Sequence, residues 1–294
     1  MSESIRKVIE VIEPQMVIEG AGVLLRRSFG PKRENRYDPF LLFDHFAFNE
    51  PSDTPIAGFP THPHRGIETV TYMLEGNVRH RDSLGNMGII GPGDVQWMTS
   101  GSGIMHEEMP QRSPSGRVDG FQLWVNLPAE EKMSHPRYQE IKDSEIPISS
   151  SESAKVRVIA GSYMDNNGPV TEIAAQPLYM DVELAPGSSF TLPVPATHTL
   201  LVYVFEGQGL FGGSEVGGGQ HIEAVRMVEF GAGDTFRVET GLAQGIRFVL
   251  MAGAPFGEPI VPYGPFVMNT EAEIQQAFVD LRNGTFVKHV DLIG

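Results

Sequence analysis

The sequence predicts an all-β protein built of two β-barrels, with a short α-helix near the C-terminus. Three observations lead to this class. The 294 residues include 33 glycines and 22 prolines, a composition that favours short strands and tight turns over long helices. Short apolar runs alternate with Gly, Pro and Asp turns along most of the chain. The two halves of the chain also carry matching segments, which indicates a duplicated barrel.

Six of the apolar runs have the composition of buried strands, because each is rich in Val, Ile, Tyr, Phe and Leu. They span residues 68–74, 120–127, 156–160, 179–184, 200–205 and 246–252. Their regular spacing, with turn residues between them, is typical of a sandwich or a barrel.

A polar segment divides the predicted halves. Residues 142–153 contain Pro147 and five serines, four of them within residues 149–153, and we interpret them as a linker. The predicted domains are therefore an N-terminal metal-binding barrel over residues 1–141 and a C-terminal barrel over residues 154–294. The second domain includes the C-terminal helix.

The predicted helix begins at a capping box. Thr270 stands at the N-cap and Glu273 three residues later. At this spacing each side chain can accept a hydrogen bond from the backbone N–H of the other residue. Apolar residues then recur at helical spacing, and Gly284 supplies a stop. The apolar positions are Ile274, Ala277, Phe278 and Leu281.

An internal repeat relates the two halves. The first match pairs Leu74-Glu75-Gly76 with Phe205-Glu206-Gly207, and the second pairs residues 91–94 with residues 231–234. Counting from these matches without gaps gives each metal-capable residue of the first half a partner that cannot bind a metal. The pairs are His62 with Pro193, His64 with Pro195, His106 with Ile246 and Glu108 with Phe248. Only the first barrel is therefore predicted to hold a metal.

Four metal-capable residues stand in two i, i+2 pairs. They are His62 and His64, then His106 and Glu108. Residues i and i+2 of a strand point to the same face, so two such strands can place three imidazoles and one carboxylate around one point. This donor set suits Fe(II), Mn(II), Ni(II), Cu(II) or Zn(II).

Two alternatives to this ligand set stay open from spacing alone. The histidines could be ordinary strand residues satisfied by hydrogen bonds. Glu68 has the same even parity as His62 and His64, so in an unbroken strand it would compete as a carboxylate ligand. The other histidines are expected at the surface or in packing, and of these His45 and His80 lie near enough in sequence for a supporting role.

Charge and composition exclude several function classes. The formal net charge of −15 repels phosphate backbones and anionic membranes, so direct nucleic-acid or membrane binding is not expected. The absence of cysteine excludes disulfides, thiolate metal sites and cysteine nucleophiles. One basic cluster, Arg26, Arg27, Lys32 and Arg33, could serve a protein partner or could be a solvated loop.

The hydropathy of the sequence indicates where in the cell the protein is expected. No apolar run approaches the ~20 residues of a transmembrane helix, and the first residues do not resemble a signal peptide. We expect a cytoplasmic monomer, with a nuclear location also open in a eukaryote.

Three segments resemble the signature of the pirin family, which belongs to the cupin superfamily. They are residues 62–70 (HPHRGIETV), 92–99 (PGDVQWMT) and 103–110 (GIMHEEMP). Further matches at residues 38–44, 123–127 and 264–270 extend the resemblance from about residue 20 to residue 284.

The resemblance implies two cupin barrels with iron, Fe(2+), bound only in the N-terminal one. It implies that His62, His64, His106 and Glu108 are the ligands and that Glu68, a ligand position in many other cupins, is not. Many cupins carry another ligand histidine where this chain has Gln96.

Two functions follow from the resemblance. One is a quercetin 2,3-dioxygenase-like enzyme that opens a flavonol ring with O2, in which Glu108 is the catalytic base for the flavonol 3-hydroxyl. The other is a non-catalytic, iron-dependent regulator that binds a transcription factor or a metabolic enzyme. We favour the enzyme, because a four-ligand site with open coordination positions is suited to catalysis.

Overall fold

The structure is a computed structural model that describes residues 4–48, 58–213 and 218–289. Within these ranges it contains 25 strands, two short 3-10 turns and one α-helix, which confirms the predicted all-β class with a single short C-terminal helix. No helix in the described ranges is long and apolar enough to cross a membrane.

The strands are numbered in chain order. They are β1 (Val8–Ile12), β2 (Gln15–Glu19), β3 (Val23–Phe29), β4 (Phe40–Phe48), β5 (Phe59–His64), β6 (Ile67–Glu75), β7 (Asn77–Asp82), β8 (Met87–Ile90), β9 (Val95–Thr99), β10 (Ile104–Gln111), β11 (Val118–Asn126), β12 (Arg137–Ile141), β13 (Ile148–Ser150), β14 (Ala154–Ala160), β15 (Ser162–Tyr163), β16 (Asn166–Asn167), β17 (Leu178–Leu184), β18 (Ser189–Pro193), β19 (Thr199–Phe211), β20 (Gln220–Glu223), β21 (Arg226–Phe230), β22 (Thr235–Glu239), β23 (Ile246–Gly253), β24 (Val261–Tyr263) and β25 (Phe266–Met268), followed by helix α1 (Glu271–Arg282). All six sequence-predicted runs lie in strands, namely β6, β11, β14, β17, β19 and β23.

The chain forms two compact units that differ from the predicted boundaries at both ends. The N-terminal unit holds Gln15–Asp143 and the described part of Phe256–Gly294. The C-terminal unit holds Ser144–Pro255 and the described part of Met1–Pro14. Strand β1 was predicted in the first domain, but it belongs to the C-terminal unit because it pairs with β21. Helix α1 was predicted in the second domain, but it belongs to the N-terminal unit because it packs with β24 and β25. Residues 4–14 and 256–289 are therefore assigned to the opposite units from those predicted.

The predicted linker is also more ordered than expected. Asp143–Glu145 forms a 3-10 turn, and β13 inside the linker pairs with β14. The serines of this segment supply strand residues at a sheet edge, so polarity alone did not distinguish an edge strand from a loop.

The N-terminal unit contains two large sheets with an apolar core between them, and a two-stranded sheet of β24 and β25. The seven-stranded sheet has the order β12-β9-β6-β11-β4-β3-β2, and the four-stranded sheet has the order β5-β10-β7-β8. One core cluster draws Val23 and Phe46 from the larger sheet and Val78 and Ile90 from the smaller one. Two facing antiparallel sheets agree with the predicted barrel.

The C-terminal unit is organised around a ten-stranded sheet in which β19 pairs with β20, β21, β22 and β23. Its interior is a continuous apolar cluster with several phenylalanines in edge-to-face or tilted contact. Gly76 and Gly207 both adopt a positive φ, of 76° and 72°, directly after matching strand segments, in agreement with the first repeat match.

The second repeat match requires a correction. In the N-terminal unit β10 pairs with β5 and β7; in the C-terminal unit β22 pairs with β18 and the end of β19, so β22 and not β23 is the counterpart of β10. Gap-free counting failed because residues 91–94 lead into β9, whereas residues 231–234 lead into β22, so the two matched turns precede strands that are not counterparts. Phe211 corresponds to His80 under the first repeat match, and the pairs Phe211–Val238 and His80–Glu108 therefore place Val238 where the first unit has Glu108. Phe236 lies two residues before Val238, as His106 does before Glu108, and both Phe236 and Val238 are fully buried. Buried apolar residues at these positions offer no ligand to a metal.

The helix begins as its sequence predicts. The Thr270 side chain accepts a hydrogen bond from the Glu273 backbone N–H, and the Glu273 carboxylate accepts one from the Thr270 backbone N–H. Ile274 and Ala277 are buried against β24 and β25, and Gly284 follows with a φ of 68°. This capping box fixes where the chain turns back toward the N-terminal unit.

Candidate metal centre

Antiparallel pairing of β5 with β10 brings the predicted histidines together. His62 lies directly opposite His106, and His64 lies opposite Ile104. Since residues i and i+2 share a face, His62 and His64 project to the side on which His106 also projects. The ligand nitrogens of the three histidines lie within 4.8 Å of one another.

The ring contacts define a compact cluster. The ring centroids of His62 and His106 are 4.3 Å apart, and those of His64 and His106 are 5.0 Å apart. The Nε2 atoms of His62 and His64 approach to 3.1 Å. Nitrogens that bind one transition metal at about 2.1 Å lie roughly 3 to 4 Å apart, so this spacing suits a shared ion.

Backbone carbonyls select the ligating form of two of the rings. His62 Nδ1 lies 2.9 Å from the carbonyl oxygen of Pro60, and His64 Nδ1 lies 3.3 Å from that of Pro265. An Nδ1–H that donates to a carbonyl leaves the lone pair on Nε2, and in both rings Nε2 points into the cluster. The pair of facing Nε2 atoms is thus prepared for a cation.

The surroundings of His106 also favour a bound cation. It is 1% exposed, and neither of its ring nitrogens has a hydrogen-bond partner among the described residues. A buried polar atom without a partner is costly, and a metal ion bound by the ring would remove that cost. The residues present therefore fit a divalent transition metal.

Burial keeps the imidazoles of His64 and His106 neutral, which is the form that binds metals. Burial, reinforced by the neighbouring His62, lowers the pKa of His64 to about 3. Burial and the nearby histidines also hold the pKa of His106 well below its usual range. Neither ring needs to lose a proton before it can act as a ligand.

Glu108 lies beside the cluster but not within the group of three. Its side chain is buried and lines the cavity that His62 and His64 also line. Glu108 Oε1 accepts a hydrogen bond of 3.0 Å from the Thr71 hydroxyl, and Gln122 Nε2 lies 3.3 Å from Oε2. The pairing of β5 with β10 shifts register between His106 and Glu108, which sets the carboxylate apart from the three rings. Its role as fourth ligand stays a prediction.

Glu68 lies away from the histidine cluster. The parity argument assumed one regular strand through residues 62–68, but the chain turns between β5 and β6 at Gly66, which has a φ of 79°. Glu68 is instead fully buried, and its Oε1 accepts a hydrogen bond of 2.8 Å from the Thr99 hydroxyl. Its burial raises the pKa of this carboxyl to about 7, against the opposing effect of the Thr99 hydrogen bond.

This raised pKa predicts a pH-dependent stability. Between pH 4.5 and about 7 the folded protein holds a proton on Glu68 that the unfolded chain has released, so stability falls as pH rises through this window. Relative to Glu68→Gln, the wild-type free energy of unfolding should fall by about 3 kcal/mol across it. Urea unfolding of both proteins, with metal removed by a chelator, measures the difference at each pH. Identical pH slopes for the two proteins would contradict the expectation.

Two further histidines are buried in supporting networks. His80 is fully buried, with Gln96 Nε2 2.8 Å from its Nδ1 and Asp82 Oδ2 3.2 Å from its Nε2, and its ring centroid lies 5.4 Å from that of His106. His45 Nε2 lies 2.9 Å from Asp119 Oδ1. Both histidines are buried, in agreement with the packing alternative of the expectation, and the His80 ring lies next to the ring of His106.

A cavity of about 520 Å³ adjoins the histidines. Its apolar lining includes Leu42, Phe46, Phe59 and Trp124, and the Trp124 indole packs edge-on to His64 with centroids 5.1 Å apart. This volume is in the range of small-molecule sites, about 300 to 1,000 Å³. Side chains alternate along β11, so Trp124 faces this cavity while Phe121 is fully buried on the opposite face.

Residues near the C-terminus complete the cluster's surroundings. The Arg65 side chain is 1% exposed and donates to Asp280 Oδ2 on helix α1 at 2.8 Å. Lys132 Nζ donates to the carbonyl oxygens of Gly66 and Val267, at 2.9 and 2.7 Å. These bonds hold the segment that carries the Pro265 carbonyl, and that carbonyl in turn orients the His64 ring.

The basic cluster is not a free cationic surface. Arg27 forms ion pairs with Glu19 and Asp44, and Arg33 forms one with Glu271. Pairing with carboxylates removes much of the charge that an anionic partner would meet. The structure thus gives no support to this cluster as a partner-binding patch.

Comparison with known proteins extends over both units. Residues 22–125 match the family model described as Pirin, and residues 179–287 match the one described as Pirin C-terminal cupin domain. The chain is 44% identical to a pirin-like protein of Caulobacter vibrioides, covering 96% of this chain and 99% of that one. It is 43% identical to pirin of Homo sapiens, covering 90% and 88%. The crystal structure of a quercetin 2,3-dioxygenase from Acinetobacter baumannii is similar with a TM-score of 0.85 and 36% identity, covering 96% and 98%.

Proposed function

Because this chain belongs to the pirin family, we propose that it is a metal-dependent dioxygenase that opens a flavonol ring with O2. One observation carries the proposal: three imidazoles converge on one point, and two of them, His62 and His64, line a cavity large enough for an aromatic substrate. The similarity to a quercetin 2,3-dioxygenase structure over nearly the whole chain supports the same chemistry.

The proposed metal is iron(II), held by His62, His64 and His106 with Glu108 as a fourth ligand. Nitrogen and oxygen donors of this kind suit iron, and other divalent transition metals bind the same set. The bound metal would lower the pKa of the flavonol 3-hydroxyl and provide the site at which O2 reacts.

Glu108 is the proposed proton acceptor. Its carboxylate faces the cavity, and hydrogen bonds from Thr71 and Gln122 hold it there. A carboxylate in this position can accept the proton of the 3-hydroxyl as the substrate arrives. Trp124 and the apolar lining exclude water around the flat ring system.

The test is a two-stage experiment with quercetin. Anaerobic addition of quercetin to iron-loaded protein should shift the flavonol absorption band, because the 3-oxygen becomes deprotonated in the site. Admission of O2 should then bleach the band and release carbon monoxide. If metal-replete protein neither shifts nor bleaches the band of any flavonol tested, the dioxygenase proposal is wrong.

A further inference from the structure

A row of polar side chains crosses the larger-sheet wall of the cavity. Thr71 on β6 pairs with Gln122 on β11, which pairs with Asp44 on β4. Asp44 in turn pairs with Arg27 on β3, and all four residues line the cavity. We call these four residues the polar strip. Neighbouring strands lie about 4.8 Å apart, so β3 lies about 10 Å from β11.

The two ends of the polar strip have different partners. At one end Thr71 and Gln122 bond to Glu108, beside the metal centre. At the other end Arg27 donates two parallel hydrogen bonds to Asp44, from Nε to Oδ1 and from Nη2 to Oδ2, both 2.8 Å long. Arg27 Nη1 also donates to Glu19 Oε1 at 2.8 Å. The strip therefore runs from the reacting end of the cavity to an ion cluster of one guanidinium and two carboxylates.

The ion cluster has a defined charge. Burial acts to lower the pKa of Arg27, but hydrogen bonds and charges from Asp44 and Glu19 outweigh it and raise that pKa. Burial raises the pKa of Asp44, against the opposing hydrogen bond and charge of Arg27. With all three groups ionised, the net charge is −1. The Asp44 side chain is only 4% exposed, so its charge acts on the cavity with little screening by water.

The ion cluster keeps unused hydrogen-bonding capacity. A carboxylate offers about four lone-pair sites, and Arg27 occupies two of those on Asp44. A guanidinium offers about five N–H donors, and Asp44 and Glu19 take three. An uncharged hydroxyl can donate to the carboxylate and accept from the guanidinium, whereas an anionic group meets two carboxylates.

Apolar rows flank the polar strip on the same wall. Leu42 and Trp124 pair on one side, and Phe46 lies on the other, all three lining the cavity. A flat aromatic system fits against such rows, with its polar edge groups aligned to the strip. The wall thus carries a pattern for a ring with hydroxyls at one edge.

We propose that Arg27 and Asp44, supported by Glu19, are specificity-determining residues that recognise uncharged phenolic hydroxyls on the substrate ring remote from the metal centre. The same residues reject substrates that carry an anionic group on that ring. This inference rests on the proposed function and specifies its substrate class as neutral polyhydroxylated aromatics.

The first test compares two flavonols that differ only in the remote ring. Quercetin carries two hydroxyls there and galangin carries none. Anaerobic absorbance titration of metal-loaded wild type should give a Kd for quercetin about tenfold lower than that for galangin, as expected for hydrogen bonds to charged groups. In the double variant Arg27→Gln with Asp44→Asn, the ratio of the two constants should fall to within about threefold of one.

Outcomes separate the inference from the proposed function. If both flavonols bind wild type equally, or the ratio survives in a folded, metal-replete double variant, the inference is overturned while the dioxygenase proposal stands. If neither flavonol binds, both are overturned.

The second test needs no variant and covers the case in which the double variant fails to fold. Quercetin sulfonated on the remote ring should bind metal-loaded wild type at least about tenfold more weakly than quercetin, since the ion cluster carries a net negative charge. Equal or tighter binding of the sulfonate would overturn the inference.

Discussion

Replacing His62 and His64 together by alanine is expected to abolish tight metal binding. Wild type should purify, or be reconstituted, with about one transition metal per chain, and the double variant should retain almost none, because two of the ligands that converge on one point are lost. Elemental analysis after dialysis against a weak chelator measures the stoichiometry. The loss should also remove the flavonol band shift, since that shift requires the metal.

A matched pair of histidines in the other unit provides the control. His198→Ala and His221→Ala should leave metal content unchanged, because the positions equivalent to His106 and Glu108 in the C-terminal unit hold Phe236 and Val238. Unchanged stoichiometry in the His62, His64 variant would remove the site from the N-terminal unit. A halved metal content in either control would place a second site in the C-terminal unit.

The second large effect is expected from Glu108→Gln. This change keeps the shape of the side chain but removes the base, so turnover of quercetin should fall by about 10²-fold or more at equal metal occupancy. Single-turnover bleaching, normalised to bound metal, separates a loss of chemistry from a loss of the ion. Full turnover at full occupancy would show that another group accepts the proton.

Glu107→Gln is the corresponding control for Glu108→Gln. Glu107 is the adjacent residue of β10, and its carboxylate lies near Arg79 at 3.9 Å rather than at the cavity. The same chemical change one position along the strand should alter turnover by less than about twofold. A comparable loss in both variants would point to a general effect on the strand.

Local patterns predicted much of this fold because their physical causes are local. The capping box at Thr270 needs only residues within one turn, and the six apolar runs needed only β-propensity and their flanking turns. The histidine cluster was also predictable, since i, i+2 spacing on paired strands directly sets which side chains share a face.

Features that depend on long-range pairing were not predictable in the same way. The assignment of β1 and helix α1 to the opposite units reflects pairings across most of the chain, which no local pattern encodes. Glu68 was considered as a ligand because parity was carried across a turn that breaks it at Gly66. The polar strip was not predictable from the sequence because its members come from four separate strands and become neighbours only through strand register.

The return of the C-terminal segment to the N-terminal unit has a consequence for biosynthesis. The three histidines of the cluster occur before residue 107. The carbonyl that orients His64, however, belongs to Pro265, and the carboxylate that neutralises Arg65 belongs to Asp280. A ribosome releases the chain from the N-terminus onward, so about 200 residues must be translated after His64 before either partner exists. A nascent chain can pair β5 with β10 early, but the surroundings of the histidine cluster are complete only after Asp280 has been translated. Pairing of the two strands and completion of the cluster are therefore separated in time during synthesis.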